Sequence, residues 1–294
     1  RVCQLLDIPF YYRNFEEPFQ KRVVDYFCAA YAEGKTPNPC LLCNQALKFD
    51  LLLNEAEALG ARYLATGHYA RIDETNGEFR LLRGVDPTKD QSYFLYTLGQ
   101  HELRHLLFPL GGLTKKQTRR LASERRLTTA ERAESQEICF IPDDDYRRFL
   151  SERLPLRPGD IVDRAGKVLG RHRGVANYTV GQRKGLGLTS RRPLYVLEID
   201  PVRNVVVVGA WDELFGDRLV AGKLNFVSGR APDGPLDVTV KIRYKSPEAE
   251  ATLVPHGDRV EVLFKAPQRA IAPGQAAVFY QGEVVLGGGI IDAG

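Results

Sequence analysis

The apolar positions change period along the chain, and each change predicts a different kind of element. From residue 15 to residue 32, Phe19, Val23, Val24, Tyr26, Phe27 and Ala30 recur at helical spacing. Beyond Asn44, read as an N-cap, Leu47, Leu51, Leu52 and Leu59 mark one face of a further helix. Residues 61–66 form a short apolar strand that ends at Gly67 and His68. Helix followed by apolar strand is the rhythm of a parallel α/β sheet, in which ligands bind beyond the carboxyl ends of the strands. Residues 7–12 read as a turn into a short strand, and residues 138–141 as another. Asn76-Gly77 is the turn of a hairpin spanning residues 69–83. Thr114 and Gln117 form a capping box that opens a helix.

Around residues 154–159 the helical period stops, and β-branched and turn residues take over. Residues 160–210 read as a small all-β module. Residues 237–245 alternate, with Val238, Val240, Ile242 and Tyr244 on one face and Lys241, Arg243 and Lys245 on the other. With the short strands that follow, they predict a small antiparallel barrel with a cationic outer strand. The expected organisation is an α/β unit at 1–153, a central β domain at 154–211 and a β-barrel at 212–294.

Composition narrows the class. The hydrophobic fraction is 44% and the charged fraction 27%, as in a soluble globular protein. No apolar run approaches the roughly 20 residues of a membrane span, and no signal peptide is visible. Five cysteines, an odd number, argue against a secreted disulfide framework and for a reducing cytoplasm with reactive thiols. A net charge of +4 permits an anionic partner without requiring one.

The candidate chemistry centres on Thr36-Pro37-Asn38-Pro39-Cys40-Leu41-Leu42-Cys43-Asn44. Two prolines stiffen this arm, which should deliver two thiols to the start of a helix. The positive end of the helix dipole favours thiolate there. Cys139, far downstream, is the expected partner thiol, although periodicity alone reads it as core; Cys3 and Cys28 are read as small core residues. Lys89-Asp90-Gln91 precedes an aromatic-rich helix and is either a solvated loop or a phosphate contact. Lys115, Lys116, Arg119, Arg120, Arg125 and Arg126 form either a solvated face or a nucleic-acid contact. Two other classes compete for the Cys40–Cys43 pair. Half of a zinc site would need two more ligands, and no second Cys-x-x-Cys exists. A thioredoxin-like redox motif fits poorly with the flanking Pro-Asn-Pro.

Six motifs in order carry a resemblance. They are residues 36–44 above, Ala-Thr-Gly-His-Tyr at 65–69, Lys-Asp-Gln-Ser-Tyr-Phe-Leu at 89–95 and Ser-Gln-Glu-Ile-Cys-Phe-Ile at 135–141. Tyr-Thr-Val-Gly-Gln-Arg-Lys-Gly-Leu-Gly at 178–187 and Pro-Gly-Gln at 273–275 complete the set. Together they resemble the tRNA-specific 2-thiouridylase family over nearly the whole chain. The resemblance implies an N-terminal α/β domain of the PP-loop, adenine-nucleotide α-hydrolase-like type with a parallel sheet. A small central β domain and a C-terminal β-barrel would follow.

The implied activity is a cytoplasmic tRNA-uridine 2-sulfurtransferase acting on the wobble uridine of tRNAs for Lys, Glu and Gln. ATP with Mg²⁺ would adenylate the C2 oxygen, and a sulfur-relay donor protein would supply persulfide sulfur. By the resemblance, Cys139 is the persulfide carrier and Cys43 the second catalytic cysteine, able to form a disulfide with it. Gly67 is a nucleotide-binding position. Asn38, Pro39, Cys40, His68, Lys89, Asp90, Gln91, Arg243, Tyr244 and Gln275 match tRNA-contacting positions. Cys40 falls where family members can carry an Asp thought to act as a base, so the base is left unassigned. The family's Ser-Gly-Gly-x-Asp-Ser phosphate loop would lie upstream of Arg1. A truncated sequence, binding ATP poorly as it stands, is the expectation, and an inactive tRNA-binding relative is the alternative.

Overall fold

The computed structural model describes residues 2–128, 130, 138–143 and 145–293. Ser135, Gln136 and Glu137 of the fourth motif lie outside the described residues. A short helix, Val2–Leu5, opens the chain and buries nothing, and Cys3 within it is half-buried, not core. The strand expected at 7–12 is not formed. No described strand pairs with this segment, and Phe10, Tyr11 and Tyr12 are each more than 70% exposed (75%, 71% and 72%). Residues 16–32 are helical throughout, and Val23, Val24, Phe27, Cys28 and Tyr31 form the buried stripe.

The next helix differs from expectation at both its start and its face. Its N-cap is Asn38, whose Oδ1 accepts from the backbone N–H of Cys40 at 3.1 Å, and Pro39 occupies the first turn. Asn44 is buried within the helix instead of capping it. Helical backbone runs from residue 39 to residue 58, and its middle, Asn44–Leu52, is π-helical. The wider i→i+5 winding moves the buried stripe off the 3.6-residue period. Leu41, Leu47, Phe49 and Leu53 are buried, whereas Leu59 is exposed.

The strand β1 is short, Leu64–Ala65, and it pairs in parallel with β4, Leu106–Leu107. Between them lies the hairpin β2 (Ala70–Thr75) and β3 (Glu78–Arg83), with Asn76 and Gly77 both at positive φ in its turn. The central module is a four-stranded sheet of β5 (Gly159–Val162), β6 (Val168–His172), β7 (Tyr195–Asp200) and β8 (Val205–Gly209). Their order is β6-β5-β8-β7, around Ile161, Val196, Val206 and Val208.

The last module comprises β9 (Phe215–Phe226), β10 (Leu236–Lys241), β11 (Ala249–His256), β12 (Arg259–Arg269), β13 (Ala276–Gln281) and β14 (Val284–Ile291). Pairing of β13 with β14 closes these six strands into a barrel. Val238, Val240 and Ile242 are buried as the alternation predicts, but β10 ends at Lys241, and residues 242–246 form a turn in place of the cationic outer strand expected. The β2–β3 hairpin does not join the parallel sheet. It adds to the barrel through β3, with Leu81 opposite Val285 and Leu82 opposite Val284. Arg83 fastens this graft by an ion pair to Glu248 at 2.5 Å and by stacking 3.8 Å over the Tyr280 ring. One core therefore spans the α/β unit and the barrel, with Leu41, Phe49 and Leu53 of the cysteine helix sharing it with Val278, Tyr280 and Val285.

Candidate active site

Cys139 is not in a strand. Residues 138–141 make a turn, closed by the N–H of Ile141 donating to the Ile138 carbonyl at 2.9 Å. Its neighbours are anchors. Phe140 packs edge-on against Phe19 and Phe27, with centroids at 5.6 and 5.4 Å, and Ile141 is buried beside Leu150. The apolar run that looks like a strand is a set of hydrophobic pegs, Ile138 on one side and Phe140 and Ile141 on the other, flanking an exposed thiol.

That thiol faces the cysteine helix. Cys40, Cys43 and Cys139 line one cavity of about 880 Å³, and all three are free thiols. Gly67, His68, Lys89, Asp90, Gln91, Pro39 and Tyr244 also line it, whereas Asn38, Arg243 and Gln275 do not. Among the described lining residues are five lysines (48, 89, 115, 241 and 245) and a single acid, Asp90. The cavity is therefore suited to a polyanion.

Electrostatics differ among the thiols. Burial pushes the Cys40 and Cys43 thiols up, and a nearby Cys139 thiolate would push both further. Lys48 opposes this at Cys43 by favouring its thiolate. Sequence reading missed Lys48. In an α-helix a residue five positions on is rotated by about 140°, away from the first. The π-helical winding brings Cys43 and Lys48 to the same cavity. No sequence signal marks such a stretch.

His68, just past the carboxyl end of β1, is buried between the Phe49 and Phe108 rings. Its Nδ1 lies 2.7 Å from Thr66 Oγ1 and its Nε2 3.5 Å from Lys48 Nζ. Burial, with the Lys48 charge second, pulls its pKa down to about 4, so the ring is neutral at pH 7.

Asp90 is occupied by the fold. It accepts from the backbone N–H groups of Gly84 and Ser92 and from the Ser92 hydroxyl. Gln91 Oε1 accepts from Tyr69 N–H at 3.0 Å and so holds the backbone next to His68. The Tyr244 ring rests against Phe94, centroids 4.3 Å apart, making an aromatic wall that sequence reading did not connect. Arg243 donates to the carbonyls of Val180 (3.2 Å) and Ala270 (2.5 Å), joining the central module to the barrel. Gln275 donates to the Thr36 carbonyl at 2.7 Å, and Thr36 N–H donates to the Pro273 carbonyl at 2.8 Å.

Three modules are joined here: the α/β domain and the closed barrel meet at a lysine-lined cavity of thiols, and Arg243 ties the small β module to the barrel. The family models agree. Residues 1–143 match the tRNA methyl transferase HUP domain, 147–210 its PRC-barrel domain, and 216–291 the aminomethyltransferase beta-barrel domain. Full-length relatives are more specific. The tRNA-specific 2-thiouridylase MnmA of Clostridium perfringens is 49% identical over 296 residues, covering 100% of this chain and 82% of the relative. Those of Geobacter metallireducens and Geotalea uraniireducens are 52% and 51% identical, covering 100% and 99% of this chain and 80% and 79% of the relatives. The chain belongs to the tRNA-specific 2-thiouridylase family.

Proposed function

We propose that this protein is a tRNA 2-thiouridylase that transfers persulfide sulfur to C2 of the wobble uridine, with tRNAs for Lys, Glu and Gln as substrates. The observation that carries this reading is the convergence of Cys43 and Cys139 on one lysine-lined cavity. Methyl transfer, the activity in two of the domain descriptions, has no need of thiols from separate segments; sulfur transfer does.

A uridine C2 oxygen is a poor leaving group. ATP, used with Mg²⁺, supplies adenylation of that oxygen, and exposed Gly67 lies where the nucleotide would approach the end of β1. A relay protein leaves a persulfide on Cys139. The Cys43 thiolate, favoured by Lys48, attacks the Cys139 sulfur. The S–S bond to the outer sulfur breaks, hydrosulfide leaves with the electron pair, and a Cys43–Cys139 disulfide forms. Hydrosulfide adds to C2 and AMP departs. A thiol reductant then restores both cysteines. Lys89, Lys115 and Lys245 face the phosphates, and the Phe94–Tyr244 wall offers a stacking surface for a base taken out of its helix. Asn38, Gln275, Arg243, Asp90 and Gln91 act on the substrate through the backbone they position. Cys40 sits in the first turn of the cysteine helix beside the reacting pair. The cytoplasm is the compartment that keeps these thiols reduced.

The test is mass spectrometry of wobble uridine after incubating tRNA with ATP, Mg²⁺, a persulfide donor and the protein carrying the family's upstream phosphate loop. Thiouridine formation that disappears in Cys43→Ala and in Cys139→Ala is the expected result. Full activity in Cys139→Ala would overturn the assignment. Full-length curated relatives at about half identity favour this reading over an inactive tRNA-binding relative.

A further inference from the structure

Outside the cavity that holds the thiols, Glu57, His101 and His105 bring their ligand atoms together. Glu57 lies in the helical turn Leu53–Ala58. His101 and His105 lie four residues apart in the helix Gln100–His105, the spacing that puts two imidazoles on one face. Glu57 Oε1 is 2.8 Å from His105 Nδ1 and 3.8 Å from His101 Nε2, and all three atoms lie within 4.8 Å of one another. Tetrahedral zinc with ligands at 2.0–2.1 Å requires ligand atoms about 3.4 Å apart.

Direction matters as much as distance. Glu57 Oε1 and His105 Nδ1 are both shut off from solvent, yet neither has a hydrogen-bond partner despite their separation. The carboxylate oxygen and the ring nitrogen converge side by side and are not aligned donor to acceptor. Two buried lone-pair atoms converging without a hydrogen bond leave a cost that a cation between them would remove. His101, 63% exposed, reaches the same point from the solvent side and leaves room for a water ligand. Among the described residues this is the one group of three His, Cys, Asp or Glu side chains with such convergence, and it includes none of the cysteines.

We propose that Glu57, His101 and His105 form a binding site for a borderline divalent metal, zinc in the first instance, completed by water. Two imidazoles and one carboxylate select against Mg²⁺ and Ca²⁺, which prefer oxygen. The metal clamps the end of the cysteine helix to the helix Gln100–His105. That second helix runs directly into β4, the partner of β1, which delivers Gly67 and His68 to the cavity. The clamp acts on the support of the active site and takes no part in sulfur transfer.

The experiment is Zn²⁺ titration of the full protein carrying Cys40→Ser, Cys43→Ser and Cys139→Ser, with a chromophoric chelator as competitor and X-ray absorption of the bound zinc. The expected result is one zinc per chain with a nitrogen and oxygen shell and a raised Tm. Loss of a mere second-shell partner costs about 10- to 100-fold in affinity. His101→Ala and the near-isosteric Glu57→Gln should each cost at least as much. His101 is exposed, so its replacement leaves the fold intact. Failure to take up zinc, a sulfur-containing shell, or an affinity unchanged in both variants would each overturn the proposal.

Discussion

Gln275 donates its side-chain amide to the backbone carbonyl of Thr36 at 2.7 Å, linking the barrel to the arm that carries Cys40 and Cys43 across 239 positions of sequence. Thr36 N–H returns a bond to Pro273, and Gly274, at φ +87°, lies against Lys35 and Thr36 where a side chain would collide. The barrel thus sets the position of the arm that carries Cys40 and Cys43. Gln275→Ala should cost about 1 kcal/mol of stability. It should lower thiouridine formation far more than that loss would suggest, with faster amide exchange at residues 36–40. Unchanged exchange there would refute the bracing role.

Lys48 and Cys43 face the same cavity, and the lysine is the one group that lowers the thiol pKa against burial. Lys48→Gln should move the pH profile of Cys43 alkylation upward and slow sulfur transfer at pH 7. Raising the pH should recover part of the rate. Iodoacetamide kinetics between pH 6 and 10, read by mass spectrometry, test this.

His68 makes stability depend on pH. Its folded pKa of about 4 lies below the ordinary 6.5, so the unfolded chain binds the proton first. Stability is full above pH 6.5, falls as pH drops through that value, and the loss is complete below pH 4. The shift corresponds to roughly 3 kcal/mol over that window. His68→Gln should flatten the profile, and urea unfolding from pH 4 to 7.5 measures the difference.

Arg243 ties Val180 to Ala270 with one guanidinium nitrogen. Arg243→Ala strands two carbonyls and should cost about 1–3 kcal/mol. A residue acting by position leaves the salt dependence of tRNA affinity unchanged, whereas a phosphate contact would reduce its slope by about one. Measuring tRNA Kd against salt for Arg243→Ala separates the two.

Gly111 admits no side chain, because a Cβ there would sit 1.7 Å from the Ala70 carbonyl oxygen. Gly111→Ala should destabilise by about 3 kcal/mol. It should also reduce activity, since Ala70 begins the hairpin two residues after His68.

Local signals were readable where local physics decides. The helix at 16–32, the Thr114 capping box, the Asn76-Gly77 turn and the buried set Val238, Val240 and Ile242 all follow from period or turn chemistry. Readings failed where a neighbour decides. Residues 7–12 have strand composition without a strand partner. Ile138, Phe140 and Ile141 satisfy a strand pattern but serve as pegs in the core under Leu150 and Phe27. Asn44 has the chemistry of a cap, but Asn38, followed by proline, took that position.

By itself the sequence determined the order of modules and the family, because these reside in residue types and their succession. Tertiary structure alone decided that Cys40, Cys43 and Cys139 share one cavity and that Lys48 belongs to it. It alone decided that the hairpin at 70–83 extends the barrel. It also showed that Arg243 and Gln275 hold backbone carbonyls. Each of these depends on contacts between segments far apart in the chain, and on a π-helical winding that has no period of its own in the sequence.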